Sequence, residues 1–214
     1  MPVTCSMAMV RTPGLVQALM PRIRWHGSRH EPVVYLTFDD GPSPGITPWV
    51  LERLALHGAK ATFFVVGSQV ARHPELTRKL LAEGHSLGNH TYTHRNGWET
   101  APMDYMRELE RTRRVIFRET GHSPLMFRPP YGKFNPLTKW AIQRKYQIVM
   151  WDVLACDFDP KCDAAACVAN VVNHTRPGSI IVLHDSAKCA MKLREILPPL
   201  LQHFAAKGYR MAAL

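Results

Sequence analysis

The chain has 214 residues, enough for one domain with a substantial hydrophobic core. Its 46% hydrophobic and 21% charged residues are ordinary for a globular protein, and no stretch approaches the roughly 18 apolar residues of a membrane span. The formal net charge of +10 favours acidic partners, but the basic residues form no concentrated patch and match no zinc-finger, RNP-type or basic-zipper pattern, which argues against nucleic-acid binding.

The N-terminal part of the chain lacks the features of a secretion signal. Residues 1–30 are predicted to form a preamble with one short helix, followed by a folded domain over residues 31–214. The best apolar run of the preamble, residues 14–20, is interrupted by Gln17 and closed by Pro21. A signal peptide needs a longer apolar region, so the default expectation is a cytoplasmic protein. Export by a leaderless route, or from a different start, stays open.

Strands and helices alternate from residue 33 onward. The predicted strands cover residues 33–38, 61–67, 85–89, 123–128, 148–153 and 178–185, with a last one near residue 210. The predicted helices begin at Thr47, cover residues 73–84, 103–119 and 135–145, begin again near Asp163, and cover residues 187–207. Strands that alternate with helices are expected to pair in parallel.

This pattern predicts an α/β fold. Runs such as ATFFVV are almost continuously apolar, as strands covered on both faces should be. The count of about seven strands fits a distorted (β/α) barrel that is TIM-barrel-like, or an open doubly wound sheet. No GxGxxG or Walker A element occurs, which lowers the expectation of a nucleotide-binding open sheet.

Polar side chains that could take part in catalysis or bind a metal follow the predicted strands one after another. The set consists of Asp39 and Asp40 after the first strand, His90 and His94 after the third, Arg128 and Tyr131 after the fourth, Asp157 after the fifth and His184 at the end of the sixth. The carboxyl ends of parallel barrel strands share one face, and active sites gather there. We therefore expect these residues to meet at one site.

The segment HTYTH places two histidines where they can bind one cation together. His90 and His94 are four residues apart, which puts them on the same side of a helical turn. Two imidazoles and one carboxylate, with a position left open for water, are typical of a catalytic metal site. A cation would also explain the adjacent acids of TFDDGP, because one carboxylate can bind it while the other stays free as a base.

Two further segments have both a structural and a functional interpretation. FRPPYG is an ordinary proline-rich turn, or it holds Arg128 as a fixed cation that points toward the acids. His184 at the end of an apolar strand is a structural histidine, or it is a general acid whose pKa is raised by a carboxylate such as Asp157.

The order of these motifs resembles a known family. TFDDGP at 37–42, HTYTH at 90–94, RPPYG at 128–132, WDVLACDF at 151–158 and VLH at 182–184 are similar to the motifs of the polysaccharide deacetylase family, the NodB-homology domain of carbohydrate esterase family four. The resemblance covers about residue 33 to the C-terminus. It implies a catalytic domain over residues 31–214, a distorted barrel of about seven β/α units, and one divalent metal ion, zinc first and cobalt or nickel as alternatives.

The resemblance also implies an activity and a role for each motif residue. The enzyme would remove N-acetyl groups from N-acetylglucosamine-containing glycans such as peptidoglycan or chitooligosaccharide, and release acetate. The implied roles are Asp40, His90 and His94 as metal ligands, Asp39 as the base oriented by Arg128, His184 as the acid tuned by Asp157, Tyr131 as a backbone donor to the oxyanion, and Leu183, Pro130 and Phe158 as substrate contacts.

Some positions depart from the family pattern and leave alternatives open. Leu154 stands where an aspartate is common, Phe158 where a tryptophan is common, and Val182 where leucine is usual. These departures put the identity of the substrate in doubt. One alternative is an O-acetyl esterase on a polysaccharide such as xylan. The other is a non-catalytic sugar-binding or metal-binding protein.

The five cysteines add no site of their own. Cys5, Cys156, Cys162, Cys167 and Cys189 are irregularly spaced and contain no CxxC pair, so neither a structural zinc site nor a redox pair is indicated. We expect reduced and mostly buried thiols.

Overall fold

The computed structural model describes residues 10–214. Its helices pack around one curled parallel sheet. Its strands are β1 (Val33–Asp39), β2 (Thr62–Val65), β3 (Ser86–Asn89), β4 (Met126–Phe127), β5 (Gln147–Ile148), β6 (Val153–Leu154), β7 (Ile180–His184) and β8 (Arg210–Met211). Seven of them lie in the order β5-β4-β3-β2-β1-β7-β6, and β8 pairs with β1. The sheet forms a half-barrel, which confirms the predicted distorted (β/α) barrel of about seven parallel strands.

The helices follow the strands along the chain. They are α1 (Gly14–Leu19), α2 (Thr47–Leu56), α3 (Gly67–Arg72), α4 (Pro74–Ala82), α5 (Pro102–Thr120), α6 (Pro136–Gln143), α7 (Ala164–His174) and α8 (Ala190–Ala206). Local chemistry sets several of their ends. The Asp163 side chain accepts a hydrogen bond from the Ala166 N–H at the start of α7, and Gly121 ends α5 with a φ of 70°.

The six-residue α3 was not predicted, because so short a segment carries no readable apolar period. Tertiary hydrogen bonds fix its start instead. The N–H groups of Gly67 and Ser68 donate to the carbonyls of Thr91 and Tyr92 at 2.9 Å each. This helix therefore depends on the loop after β3 rather than on its own sequence.

The prediction of a single strand over residues 148–153 is wrong. The chain forms two short strands there, because β5 pairs with β4 at one edge of the sheet while β6 pairs with β7 at the other. The apolar run thus crosses the opening of the half-barrel. Apolar sequence alone does not distinguish one long strand from two that serve opposite edges.

Residues 10–26 lie across this opening and pair with both of its edges. The Arg24 N–H donates to the Ile148 carbonyl at 2.8 Å, and the Leu154 N–H donates to the Val10 carbonyl at 2.7 Å. Ile23 and Trp25 are buried in a hydrophobic cluster beside β4 and β5. The first nine residues of the predicted preamble, Cys5 among them, lie outside the described part of the chain.

The main hydrophobic core lies between the sheet and the helices around it. It includes Leu36 and Phe38 of β1 and Leu197 and Leu201 of α8. The four cysteines of the described part, Cys156, Cys162, Cys167 and Cys189, are buried, as expected. None of the helices within residues 10–214 is both long and apolar enough to cross a membrane.

Candidate active site

The turn after β1 presents its two acids to different neighbours. Asp39, the last residue of the strand, is buried, and Asp40 follows it with a φ of 80°. Gly41 comes next, and a Cβ at this position would lie 2.2 Å from an oxygen of the Asp185 carboxylate. Only glycine leaves room for that carboxylate, which accepts a hydrogen bond from the Gly41 N–H at 3.1 Å. The close approach holds the turn against the end of β7.

Arg128 is fully buried and fixes the orientation of Asp39. Its Nη1 donates to Asp39 Oδ1 at 2.7 Å and to Thr37 Oγ1 at 2.7 Å. Its Nη2 donates to the Met150 carbonyl at 3.1 Å, and the guanidinium lies over the Phe64 ring at 4.1 Å from the ring centroid. These contacts satisfy the buried cation and leave the second carboxylate oxygen of Asp39 outside the ion pair. RPPYG is therefore more than a proline-rich turn.

Asp40, His90 and His94 lie together as predicted. Asp40 Oδ1 is 3.1 Å from His94 Nε2 and 3.6 Å from His90 Nε2. One ligand atom from each residue lies within 4.8 Å of the other two. Two imidazole nitrogens and a carboxylate oxygen converge, and the donor set leaves room for further ligands.

The chemistry of these three groups fits a metal ion. His90 Nδ1 lies 2.7 Å from the Arg128 carbonyl, which only accepts, so Nδ1 carries the proton and Nε2 keeps its lone pair toward Asp40. Burial lowers the pKa of His90 to about 4, despite the opposing effects of Asp39 and Asp40, which keeps the ring neutral. Asp40 Oδ1 is shielded from solvent and lacks a well-formed hydrogen bond to any described residue. A buried oxygen of this kind suits a cation.

The backbone between the two histidines is not the helical turn that their spacing suggested. The segment bends, with φ values of 62° at Thr91 and 59° at His94. Side-chain hydrogen bonds hold this bend, because Asn89 Oδ1 accepts from the Thr91 N–H at 2.9 Å and Thr91 Oγ1 accepts from the Arg95 N–H at 3.1 Å. The two rings still meet, with centroids 5.1 Å apart.

His184 and Asp157 form a pair on the opposite side of Asp39 and Asp40. His184 Nδ1 is 2.8 Å from Asp157 Oδ1, and the His184 backbone N–H donates to Asp157 Oδ2 at 2.8 Å. Burial alone would lower the pKa of His184, but the Asp157 carboxylate, assisted by Asp40 and Asp39, outweighs it and raises this pKa to about 9. The ring is therefore a proton donor at neutral pH.

Two aromatic side chains stand on either side of these groups. Tyr131 is 63% exposed, and its ring meets the His94 ring edge-on at 4.8 Å. Phe158 is 47% exposed and meets His184 edge-on at 5.3 Å. Pro130 is buried beside Tyr131, whereas Leu183 is fully buried in the main core with no exposed surface. The predicted contact of Leu183 with an acetyl group stays a prediction.

Every non-glycine residue with positive φ in the described chain lies at this site or beside it. They are Asp40, Thr91, His94, Tyr131 and Cys156, the last of which precedes Asp157. Each such conformation costs on the order of 1–3 kcal/mol and persists only where surrounding contacts hold it. Strained backbone is concentrated at functional sites, so this distribution marks the same site independently of the side chains.

The similarity of the chain to known proteins agrees with the geometry of this site. The model of the polysaccharide deacetylase family matches residues 26–151. The chain belongs to this family. Its deacetylases are metal-dependent, which agrees with the Asp40, His90 and His94 group. The resemblance inferred from the motifs is thereby confirmed.

Several relatives of this polysaccharide deacetylase carry specific names. A peptidoglycan-N-acetylglucosamine deacetylase of Bacillus cereus is 34% identical over 88% of this chain and 69% of its own length. A chitooligosaccharide deacetylase of Bradyrhizobium is 39% identical over 71% of this chain and 70% of its own length. A crystal structure of a peptidoglycan N-acetylglucosamine deacetylase superposes with a TM-score of 0.87 at 31% identity and covers 95% of both chains.

Sequence reasoning missed one polar residue that supports the deacetylase site. Asp185 is buried, accepts a hydrogen bond from Thr47 Oγ1 at 2.5 Å, and holds the turn after Asp40 through Gly41. Burial raises its pKa to about 7. Its position directly after His184 was the available signal, but nothing in the sequence named the glycine that it contacts.

Proposed function

We propose that this enzyme is a zinc-dependent deacetylase that removes N-acetyl groups from N-acetylglucosamine-containing glycans. The observation that carries this proposal is the placement of two charged pairs around Asp40 and its neighbouring histidines. One pair is the candidate general base Asp39 with Arg128, and the other is the candidate general acid His184 with Asp157. The donor set suits Zn²⁺ and also accommodates Co²⁺ or Ni²⁺. The names of the relatives support amino-sugar glycans as the substrate class.

The reaction follows from what each side chain can do. A divalent cation bound by Asp40, His90 and His94 would supply Lewis acidity to the attacking water and to the amide carbonyl. Asp39, held by Arg128, accepts a proton from that water. As water adds to the carbonyl carbon, negative charge develops on the carbonyl oxygen, and we assign the Tyr131 backbone N–H as a hydrogen-bond donor to this oxyanion. His184 then gives its proton to the sugar nitrogen, the bond between the carbonyl carbon and that nitrogen breaks, and the products are acetate and a free amino sugar.

The protonated state of His184 favours amide over ester cleavage. An amine leaves only after its nitrogen has been protonated, whereas an alkoxide of a sugar leaves more readily without full protonation. A histidine whose pKa is raised to about 9 is in its acid form at neutral pH and meets the more demanding requirement. The O-acetyl esterase is therefore the second candidate, and it is separated from the first by experiment.

Acetate release from a defined substrate panel tests the proposal. Metal-stripped protein is assayed with and without added Zn²⁺ or Co²⁺ on N-acetylglucosamine oligomers, peptidoglycan fragments and acetylated xylan. We expect metal-dependent acetate release from the amino sugars. Release from xylan alone would establish the esterase instead. Stoichiometric metal binding without release from any substrate would identify a binding protein and contradict the proposal.

The pH dependence of kcat tests the role of His184. Because the pKa of His184 is raised to about 9, its acid form predominates below that pH, and kcat is expected to fall as the pH rises through it. A cation bound at Asp40 would offset the contribution of that carboxylate and move the fall toward lower pH. Asp157→Asn removes the largest pKa-raising contribution and leaves burial, which lowers the pKa, so the alkaline limb of the kcat–pH profile should shift to lower pH. An unchanged limb in the variant would show that another group titrates.

A further inference from the structure

Two cysteines, Cys162 and Cys167, lie against each other at the start of α7. Their Sγ atoms are 3.5 Å apart, and both side chains are buried. The sulfurs of a disulfide bond lie at about 2.05 Å, so this pair would have to close by about 1.5 Å, a distance that rotation about the two Cα–Cβ bonds can cover. The two thiols are therefore placed to react with each other.

The chemistry of the helix start explains why these thiols meet. Asp163 is the N-cap of α7, and its side chain accepts a hydrogen bond from the Ala166 N–H at 2.7 Å. Cys162 thus precedes the cap, and Cys167 is the fourth residue of the helix. Side chains at these two positions commonly pack together as a hydrophobic staple, which fixes the angle at which the chain enters the helix. Here both members of the staple are thiols.

The loop that ends at Cys162 begins with two residues of the candidate active site, Asp157 and Phe158. Hydrogen bonds within the backbone make this loop compact. The Asp159 N–H donates to the Cys156 carbonyl at 3.1 Å, and the Cys162 N–H donates to the Asp159 carbonyl at 3.1 Å. The staple is therefore only a few residues away from the partner of His184 along the chain.

Side chains of α7 and α8 hold the same loop from outside. Lys192 Nζ donates to the carbonyls of Asp159 and Cys162 at 2.6 Å each. Asn170 Nδ2 donates to the Ala155 carbonyl at 3.3 Å and lies 3.6 Å from Cys162 Sγ. These contacts keep Cys162 in place beside Cys167. The thiol pair adds a contact that can become covalent.

We propose that Cys162 and Cys167 form a disulfide bond under oxidising conditions, and that this bond fastens the loop of Asp157 and Phe158 to the start of α7. The oxidant is a small disulfide such as oxidised glutathione. An S–S bond forms between the two cysteines, the S–S bond of the oxidant breaks, and two electrons and two protons pass to its sulfurs, which leave as two thiols. The proposed deacetylase activity is not needed for this reaction.

Burial determines the conditions under which the bond can form. It raises the pKa of the Cys167 thiol, so little thiolate is present at neutral pH. The thiolate is the species that attacks a disulfide, and the oxidant must also reach it. Exchange therefore needs a transient opening of the loop. The test supplies this opening with urea at a concentration just below the unfolding transition.

Peptide mapping of the full chain detects the bond. The protein is incubated with oxidised glutathione in this urea solution, and the remaining thiols are alkylated after complete unfolding. Trypsin cleaves after Lys161 and Lys188 but not between Arg176 and Pro177, so one peptide, residues 162–188, contains both cysteines of the pair and no other cysteine. We expect this peptide to lack alkyl groups and to be lighter by two hydrogen atoms. Two alkyl groups, two glutathione adducts or a cross-link to another cysteine would overturn the proposal.

Thermal unfolding tests whether the bond fastens the loop. The oxidised protein should melt about 4–8 °C above the same protein treated with a phosphine reductant, because a disulfide restricts the unfolded chain. Exchange of the Asp159 and Cys162 N–H groups with solvent should also become slower on oxidation. A bond that forms without either change would contradict the fastening of the loop.

Variants assign the change in melting temperature to this pair. The double variant Cys162→Ala with Cys167→Ala should melt at the same temperature in oxidant and in reductant, whatever its own stability. Cys189→Ala removes a buried thiol outside the pair, so it should keep the difference between the two conditions. The same difference in the double variant, or its loss in Cys189→Ala, would assign the effect to other cysteines.

Discussion

Replacing Arg128 with alanine is expected to lower the free energy of unfolding of the metal-free protein by about 3–5 kcal/mol. The guanidinium is fully buried, and its removal leaves Asp39 as a buried carboxylate without its partner. The carbonyl of Met150 and the hydroxyl of Thr37 lose a donor as well. Urea denaturation of the two proteins at neutral pH measures the change.

A double variant shows whether the pairing of charges causes this loss. Adding Asp39→Asn to Arg128→Ala neutralises the stranded carboxylate, so the double variant should be more stable than Arg128→Ala alone. The remaining deficit reports the lost packing on Phe64 and the lost hydrogen bonds. If Arg128→Ala lowers the free energy of unfolding by less than about 1 kcal/mol, the value typical of a solvent-exposed ion pair, the buried ion pair does not contribute significantly to stability.

Asp39→Asn by itself is expected to reduce kcat by about 10²–10⁴-fold, the usual contribution of a general base. Asparagine keeps an oxygen that can accept the 2.7 Å hydrogen bond from Arg128, but it does not take up a proton. The metal stoichiometry of the variant should stay the same as that of the unmodified enzyme, because Asp40, His90 and His94 are untouched. Steady-state acetate release and metal analysis on the same preparation measure both quantities.

Asp163→Asn supplies the matched control for this prediction. The Asp163 side chain caps α7 by accepting from the Ala166 N–H, and asparagine caps helices about as well as aspartate. The same chemical change should therefore leave kcat unchanged at this position. A near-normal kcat in Asp39→Asn, with the metal still bound, would assign the role of the base to another residue.

The sequence was sufficient to predict two sets of site residues because these residues lie at or just after the ends of strands. One set is the candidate metal ligands Asp40, His90 and His94, and the other is His184 with Asp157. Strand ends in a parallel sheet share one face, so Asp40, His90 and His184 had to converge once the strands were recognised. Their exact bends were not predictable. The left-handed conformations at Thr91 and His94 depend on hydrogen bonds that the side chains of Asn89 and Thr91 accept from backbone N–H groups, and no periodicity in the sequence reveals these bonds.

Other features depended on contacts between residues far apart in the chain. The separation of β5 from β6 follows from pairing with β4 and β7 at opposite edges of the sheet. The role of Asp185 depends on Gly41, which lies 144 residues earlier. The short helix α3 depends on the carbonyls of Thr91 and Tyr92. Local propensity contains none of this information.

The segment over residues 10–26 has a practical consequence for any shortened version of the enzyme. A chain that begins at residue 31 would expose the outer edges of β5 and β6, with their unpaired N–H and C=O groups. It would also remove Arg29, whose Nη2 lies 2.9 Å from the buried Asp152 carboxylate. Such open edges pair readily with other chains. Aggregation, rather than a change in chemistry, would be the first result of placing the boundary there.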